Sequence, residues 1–421
     1  MYETLKARAA SSRPIHIGLV GAGAMGLGIA WQVGHTPGME LSFVADRDLA
    51  AARKAQSLSG HPARVAEDAL DLLKDESLPC DVLVEATNCI GLAADYCLAA
   101  IARRAHVVLM NAEVDLWLGH LLQAEAARAG VVVTSDAGDQ HGVLMRMLDE
   151  IRMWAFELVQ AGNIKGFLNR HATAQGLLGE AKKRNLNPVQ CCAYSDGSKL
   201  NIEMALVANA TGMIPLKPGM EGPRCERVEE VLNLFDFDAY KGIGRVDYIL
   251  GAQPGGGVYV VAKCDDDFQK HYLWYYKLHG RHPYYLFYRP YHLCHLETTR
   301  AIALAALWNK AVLTPRSGRV ADVYAYAKQD LKPGATIGHG IGSDEVYGMI
   351  AHAPQADAAG QLPQGLLEAE GNEQKPRLKR AVKKDMPLTY GDVELPDSRI
   401  CRLFAKQQQL LAKDKKRPGR N

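Results

Sequence analysis

Apolar positions in the first third of the chain come as short runs: Ile15-His16-Ile17-Gly18-Leu19-Val20, Leu41-Ser42-Phe43-Val44-Ala45, Asp81-Val82-Leu83-Val84, His106-Val107-Val108-Leu109-Met110 and Val131-Val132-Val133-Thr134. Runs this short and apolar on both faces predict buried parallel strands. Between them the period becomes helical: from Ala24 through Ile29, Ala30 and Val33, then Leu49 to Leu58, Ala66 to Lys74, Leu92 to Arg103, and Leu116 to Ala129. Alternating strand and helix units predict a doubly wound parallel sheet. A polar turn, Ser135 to Gly142, then leads into an amphipathic helix expected from Val143 to about Leu158.

From Gln160 to Arg300 the texture changes, and Ser195 to Ala205 reads as a loop opening a helix that runs on to Gly212. Beyond the apolar stretch Ala301 to Trp308, two runs (Val320 to Ile337 and Leu378 to Val393) each place charged residues before a Pro-containing turn and a short apolar strand. Gln361 to Gln374 is a polar connector, and the basic Lys406 to Asn421 is expected to be a mobile tail. The boundaries that follow are 14–158 for a dinucleotide-binding domain, 159–318 for an α+β substrate domain, 319–405 for a small β-rich domain, and 406–421 for the tail. The third part is expected to serve packing.

The first strand ends in Gly21-Ala22-Gly23-Ala24-Met25-Gly26. Gly21 permits the tight bend, Gly23 lets the main chain approach a pyrophosphate, and Gly26 lets the helix lie close to the strand, while the helix N-terminus offers free N–H groups to phosphate. The second strand ends in Asp46, twenty residues after Gly26, where a Rossmann domain places its ribose-binding acid. Glycines serving only packing are the alternative, but spacing and context favour a nicotinamide dinucleotide. Arg47 follows directly. A carboxylate at 46 suits NAD and an arginine beside it suits the extra phosphate of NADP, so both coenzymes are supported, with Arg47 tilting the reading towards NADP. Glu85, Ala86 and Thr87, together with Asn111 and Glu113, close later strands and are expected on the same carboxyl edge, with Asp139 beyond the last strand.

Composition narrows the class. The 421 residues, 48% apolar, suffice for two or three cores, and a net charge of +2 gives no reason to expect nucleic acid. Nine cysteines without a CxxC pair predict reduced thiols, and no apolar stretch has the length of a signal peptide or a membrane span. A soluble, cytoplasmic homo-oligomer acting on a small molecule is the expectation.

Asp196-Gly197-Ser198-Lys199 with Glu203 opens the later helix. Asp196 and Ser198 are suited to capping, and Lys199 with Glu203 to a solvated i,i+4 ion pair worth about 0.3–0.5 kcal/mol. These residues, with the glycine turn, Val84 to Asn88, Met110 to Glu113, Gly138-Asp139-Gln140-His141-Gly142 and Tyr288-Arg289-Pro290-Tyr291-His292, resemble the homoserine-dehydrogenase-like oxidoreductases that carry a C-terminal SAF domain. Some members are similar to deoxyxylulose-phosphate reductoisomerase, which isomerises a phosphorylated keto-sugar and reduces it with NADPH. The resemblance implies an α/β fold with a Rossmann sheet, a mixed α+β domain and a SAF-like β-clip module. It departs from homoserine dehydrogenase at Asn111-Ala112, where that family has a lysine second. It implies hydride transfer on a carbonyl or secondary alcohol, with Lys199 polarising the oxygen, Asp196 and Glu203 orienting it or taking a divalent metal, and Ser198 and His292 as further catalytic candidates. A non-catalytic NAD(P) sensor is the reading from another class.

Overall fold

The computed structural model describes residues 1–184 and 186–415. Six strands form the first sheet: β1 (Ile15–Val20), β2 (Met39–Ala45), β3 (Arg64–Ala66), β4 (Val82–Glu85), β5 (His106–Leu109) and β6 (Val133–Ser135). All pair in parallel in the order β3-β2-β1-β4-β5-β6. Strand order reverses between β1 and β4, so the crevice at that switch point opens beside the glycine turn. The expected α/β class and Rossmann sheet are therefore present.

Differences from the expected elements have local causes. Ala66, expected to open a helix, instead closes strand β3, which pairs with Phe43–Ala45; the helix starts at Ala69, capped by the side chain of Asp68. The Ala112–Ala129 helix begins before Leu116 because the Asn111 side chain accepts hydrogen bonds from the Glu113 and Val114 N–H groups. The Gln140–Met153 helix stops short of Leu158: Ala155 takes φ +64°, and the next strand begins at Glu157.

That strand, β7 (Glu157–Lys165), is joined by β8 (Arg245–Leu250), β9 (Val258–Lys263), β10 (Gly280–Arg281) and β11 (Tyr284–Arg289) in the order β10-β11-β9-β7-β8. Only β7 and β8 pair in parallel, which makes this sheet mixed. The Ser198–Thr211 helix runs through the centre of the molecule, buried at every position except Lys199 and Thr211. Against it pack β12 (Ala321–Ala327) and β13 (Val346–His352), an antiparallel pair, with a second small pair from β14 (Arg377–Leu378) and β15 (Val393–Glu394) nearby in sequence.

The C-terminal part shares its core with the rest. Val323, Ile350 and Leu366 lie in one apolar cluster with Leu118 of the first domain and Ile202 of the central helix. Trp117 donates its indole N–H to Asp322 at 2.9 Å. The basic tail expected from Lys406 is instead the end of the Arg399–Lys415 helix, whose Gln407 accepts from the Leu121 N–H at 2.9 Å and donates to the Trp117 carbonyl at 2.7 Å. Its amphipathic pattern, apolar Phe404 and Ile400 buried between basic residues, is what docks it. Residues 416–421 of that expected tail lie outside the described residues. Among the described residues no helix is long and apolar enough to cross a membrane.

Candidate active site

Backbone sterics build the glycine turn. Gly21 has φ +92°, and a Cβ there would stand 2.6 Å from the Ala86 carbonyl; at Gly26 it would stand 1.9 Å from the Gly21 oxygen. At Gly23 a Cβ would meet nothing within 4 Å, so this backbone borders open space. Asp48, Asp68, Asn111 and Asp139 cap their helices, and Glu370 accepts from the Ile90, Gly91 and Leu92 N–H groups at 2.5–2.8 Å. The Ala24–Gly34 helix has no side-chain cap. Its first-turn donors, Ala24 and Met25 among them, remain available to a phosphate, so the turn fits a dinucleotide. Asp46 accepts from the Ala22 N–H at 2.6 Å and from the Asp48 N–H at 2.9 Å, which fixes its carboxylate at the end of β2.

Lys199 stands across the crevice. Its ammonium forms an ion pair with Glu113, itself only 4% exposed, and lies 5.9 Å from the Tyr194 ring centroid. Burial works against the charge, but Glu113 and Tyr194 outweigh it and hold the Lys199 pKa above its ordinary value. A cavity of about 350 Å³ is lined by Arg47, Asn88, Glu113 and Lys199 from one side and by His339, Glu368 and Glu370 from the C-terminal part. The helix that carries Lys199 also carries Glu203, which accepts from Asn163 at 2.9 Å and faces Lys165 at 3.9 Å. Burial pushes the Glu203 carboxyl up to about 7, with Lys165 pulling the other way. Lys165 in turn donates to Gln140 at 2.8 Å. Asp139 and His292 approach to 3.6 Å at the start of the Gln140–Met153 helix.

Residues 21–134 match the family model for the NAD-binding domain of homoserine dehydrogenase, and residues 138–298 match that for the catalytic domain of oxidoreductase DRL. The glycine-turn sheet thus resembles an NAD-binding domain, and the residues that follow it resemble an oxidoreductase catalytic domain. No curated protein matches the sequence. Among solved structures, a myo-inositol dehydrogenase from Corynebacterium glutamicum is similar at 12% identity and TM-score 0.34, covering 59% of this chain and 65% of its own. The putative oxidoreductase yvaA from Bacillus subtilis is similar at 15% identity and TM-score 0.41, covering 72% and 92%. A homoserine dehydrogenase from S. aureus is similar at 21% identity and TM-score 0.29, covering 46% and 50%. The chain thus spans about 65% of the length of the myo-inositol dehydrogenase.

Several expected site residues have other work. Asp196 does not face Lys199: it is buried against the Lys328 ammonium at 2.9 Å and accepts from the Ser198 N–H. The Ser198 hydroxyl accepts from the Gly348 N–H at 2.9 Å and from Gln364 at 3.0 Å, tying the central helix to the C-terminal part. Asp196 and Glu203, expected to orient the substrate oxygen or take a metal, are engaged with different partners, and the expected Lys199–Glu203 pair is replaced by Lys199–Glu113 and Lys165–Glu203. Glu85 is fully buried, holds the Thr87 N–H at 2.9 Å, and is raised by burial to about 7. Asn111 caps its helix and donates to the Cys89 carbonyl at 2.6 Å. Both shape the edge from inside. Thr87 and Ala86 stay half-buried beside Gly21.

Sequence pattern assigned no role to Lys165, Tyr194, Cys294 or Lys328. The first is the closing residue of β7 and the third stands two residues after His292, and those positions are the signals that would have found them. The C-terminal part, expected to serve packing, supplies one wall of the cavity.

Proposed function

We propose that the protein transfers hydride between a nicotinamide coenzyme and the carbonyl or secondary alcohol of a small, polar, phosphorylated substrate, with a reductoisomerase-like reaction as its specific form. The observation that carries this reading is the placement of the Lys199 ammonium, held by Glu113, in the same cavity as Arg47. A nicotinamide bound along the glycine turn supplies or accepts the hydride. As the substrate oxygen becomes alkoxide-like, Lys199 stabilises the charge and gives the oxygen a proton from Nζ; Glu113 keeps that proton on the amine beforehand. Residues 319–405, read as a SAF-like module, exclude water from the far wall. Exposed Phe268, Trp274 and Tyr276 support a homo-oligomer, since aromatic faces of this kind are commonly covered.

Coenzyme oxidation by the full chain against phosphorylated keto-sugars and hydroxy acids tests the reading. Turnover with none of them, alongside measurable coenzyme binding, would favour a sensor. Gly23→Asp is expected to abolish coenzyme binding without disturbing the fold, because the new carboxylate enters open space at the phosphate position rather than the protein. Calorimetry with an unchanged affinity would remove the turn from the coenzyme site. The preference for NADP rests on Arg47, exposed at the cavity. Arg47→Ala should weaken NADPH by about 1.5–3 kcal/mol, the worth of a charge-assisted hydrogen bond, and leave NADH nearly unchanged. Equal losses for both coenzymes would count against that preference.

A further inference from the structure

Three groups that ligate metals converge beyond the Lys199 cavity. Cys294 Sγ lies 3.4 Å from His292 Nδ1, and Asp139 lies 3.6 Å from the same nitrogen. The three ligand atoms all fall within 4.8 Å of one another.

A proton relay does not account for this arrangement. In a relay the imidazole uses one ring nitrogen for the carboxylate and the other for the thiol. Here both approach Nδ1, which in a neutral ring is either a donor or an acceptor and serves only one of them. At 3.6 Å the Asp139 contact is also long for a hydrogen bond, whose N···O optimum is about 2.9 Å. Both contacts lie within about 0.2 Å of the edges of a tetrahedron around one cation: ligand bonds of about 2.0–2.1 Å to nitrogen, 2.0–2.2 Å to oxygen and 2.3 Å to sulfur give N···O and N···S edges of about 3.4 and 3.6 Å.

A second observation lies beside the cluster. His141 is 1% exposed, and neither ring nitrogen has a hydrogen-bond partner among the described residues. Its ring lies close enough to Asp139 and His292 to interact with both electrostatically. A buried, unpartnered imidazole calls for a ligand. Gly138 makes the approach possible: a Cβ there would stand 2.1 Å from the Cys294 carbonyl, so only glycine lets the two segments meet.

We propose that Asp139, His292 and Cys294 bind a zinc-class divalent cation. A thiolate, imidazole and carboxylate set selects zinc or its neighbours over magnesium and calcium, which take oxygen ligands. Three protein ligands leave a fourth position for water or a substrate oxygen, and Lys199 is near enough to interact with Asp139. A role for the cation in polarising the substrate oxygen rests on the hydride-transfer reading; the binding of the cation does not.

The full chain, stripped with chelator and titrated with cobalt(II), is expected to take up one equivalent and to develop a thiolate-to-cobalt charge-transfer band. Cys294→Ser should lose the band, and Asp139→Asn, which keeps a helix cap, should weaken zinc at least tenfold in competition with a chromogenic chelator. Circular dichroism verifies that each variant is folded. Failure to retain one equivalent, or a band that persists in Cys294→Ser, overturns the site. Because these readouts need no turnover, an inactive protein that binds cobalt through Cys294 would overturn only the hydride-transfer reading.

Discussion

Lys199→Met is expected to lower kcat by about 100-fold or more while the coenzyme still binds, comparable with losing one donor of an oxyanion hole. Methionine keeps the length and removes the charge. It also leaves Glu113, 4% exposed, without its cation, so part of the effect will be structural. The double variant Lys199→Met/Glu113→Gln separates the two, because it removes the stranded carboxylate and should recover stability without recovering kcat. If KM rises and kcat is spared, Lys199 grips a substrate phosphate instead. Steady-state constants close to wild type for the single variant would eliminate Lys199 from the chemistry and turn attention to Lys165 and Glu203.

The largest loss of stability is expected from Lys328→Met. The two side chains of the Lys328–Asp196 pair are only 2% and 0% exposed, and the ammonium also donates to the Ala172 carbonyl at 2.7 Å. Removing it strands a carboxylate in the core between the middle and C-terminal parts, at a cost of about 3–5 kcal/mol. Burial already raises the Asp196 pKa, with Lys328 pulling it down, so the variant raises it further. A carboxyl with a raised folded-state pKa binds its proton better when folded. The penalty is therefore smallest below the unfolded value of about 4, grows as pH rises from there, and levels off above the folded-state pKa. Urea titrations across that range check both magnitude and sign; a loss below about 1 kcal/mol at neutral pH would show that the pair adds nothing to cohesion.

Glu370 extends the same link to the coenzyme domain. By accepting from the Ile90, Gly91 and Leu92 N–H groups at the start of the Gly91–Ala102 helix it satisfies donors left open by the helix itself, and it does so from the wall of the Lys199 cavity. The coenzyme cleft and the C-terminal part are thus built on common residues.

What the sequence determined by itself is the coenzyme domain: its strands, its glycine turn and the acid that closes β2. These are short-range matters. A run apolar on both faces has to be buried, Gly21 has to take a positive φ, and Gly26 has no room for a side chain beside the Gly21 carbonyl, whatever the rest of the chain does. The partners of the charged residues were decided by tertiary structure alone. Lys199 and Glu203 share a helix face by spacing, yet that helix is buried, so each must find its partners on whichever element covers it: Glu113 from the Ala112–Ala129 helix for one, the Asn163 amide and the Lys165 ammonium from β7 for the other. Asp196 meets Lys328 for the same reason, and Asp139 meets His292 and Cys294 only because Gly138 lets two distant segments touch. Periodicity states which side of an element is covered; the identity of the cover comes from packing between segments distant in sequence, where burial of charge costs several kcal/mol unless the geometry supplies a partner.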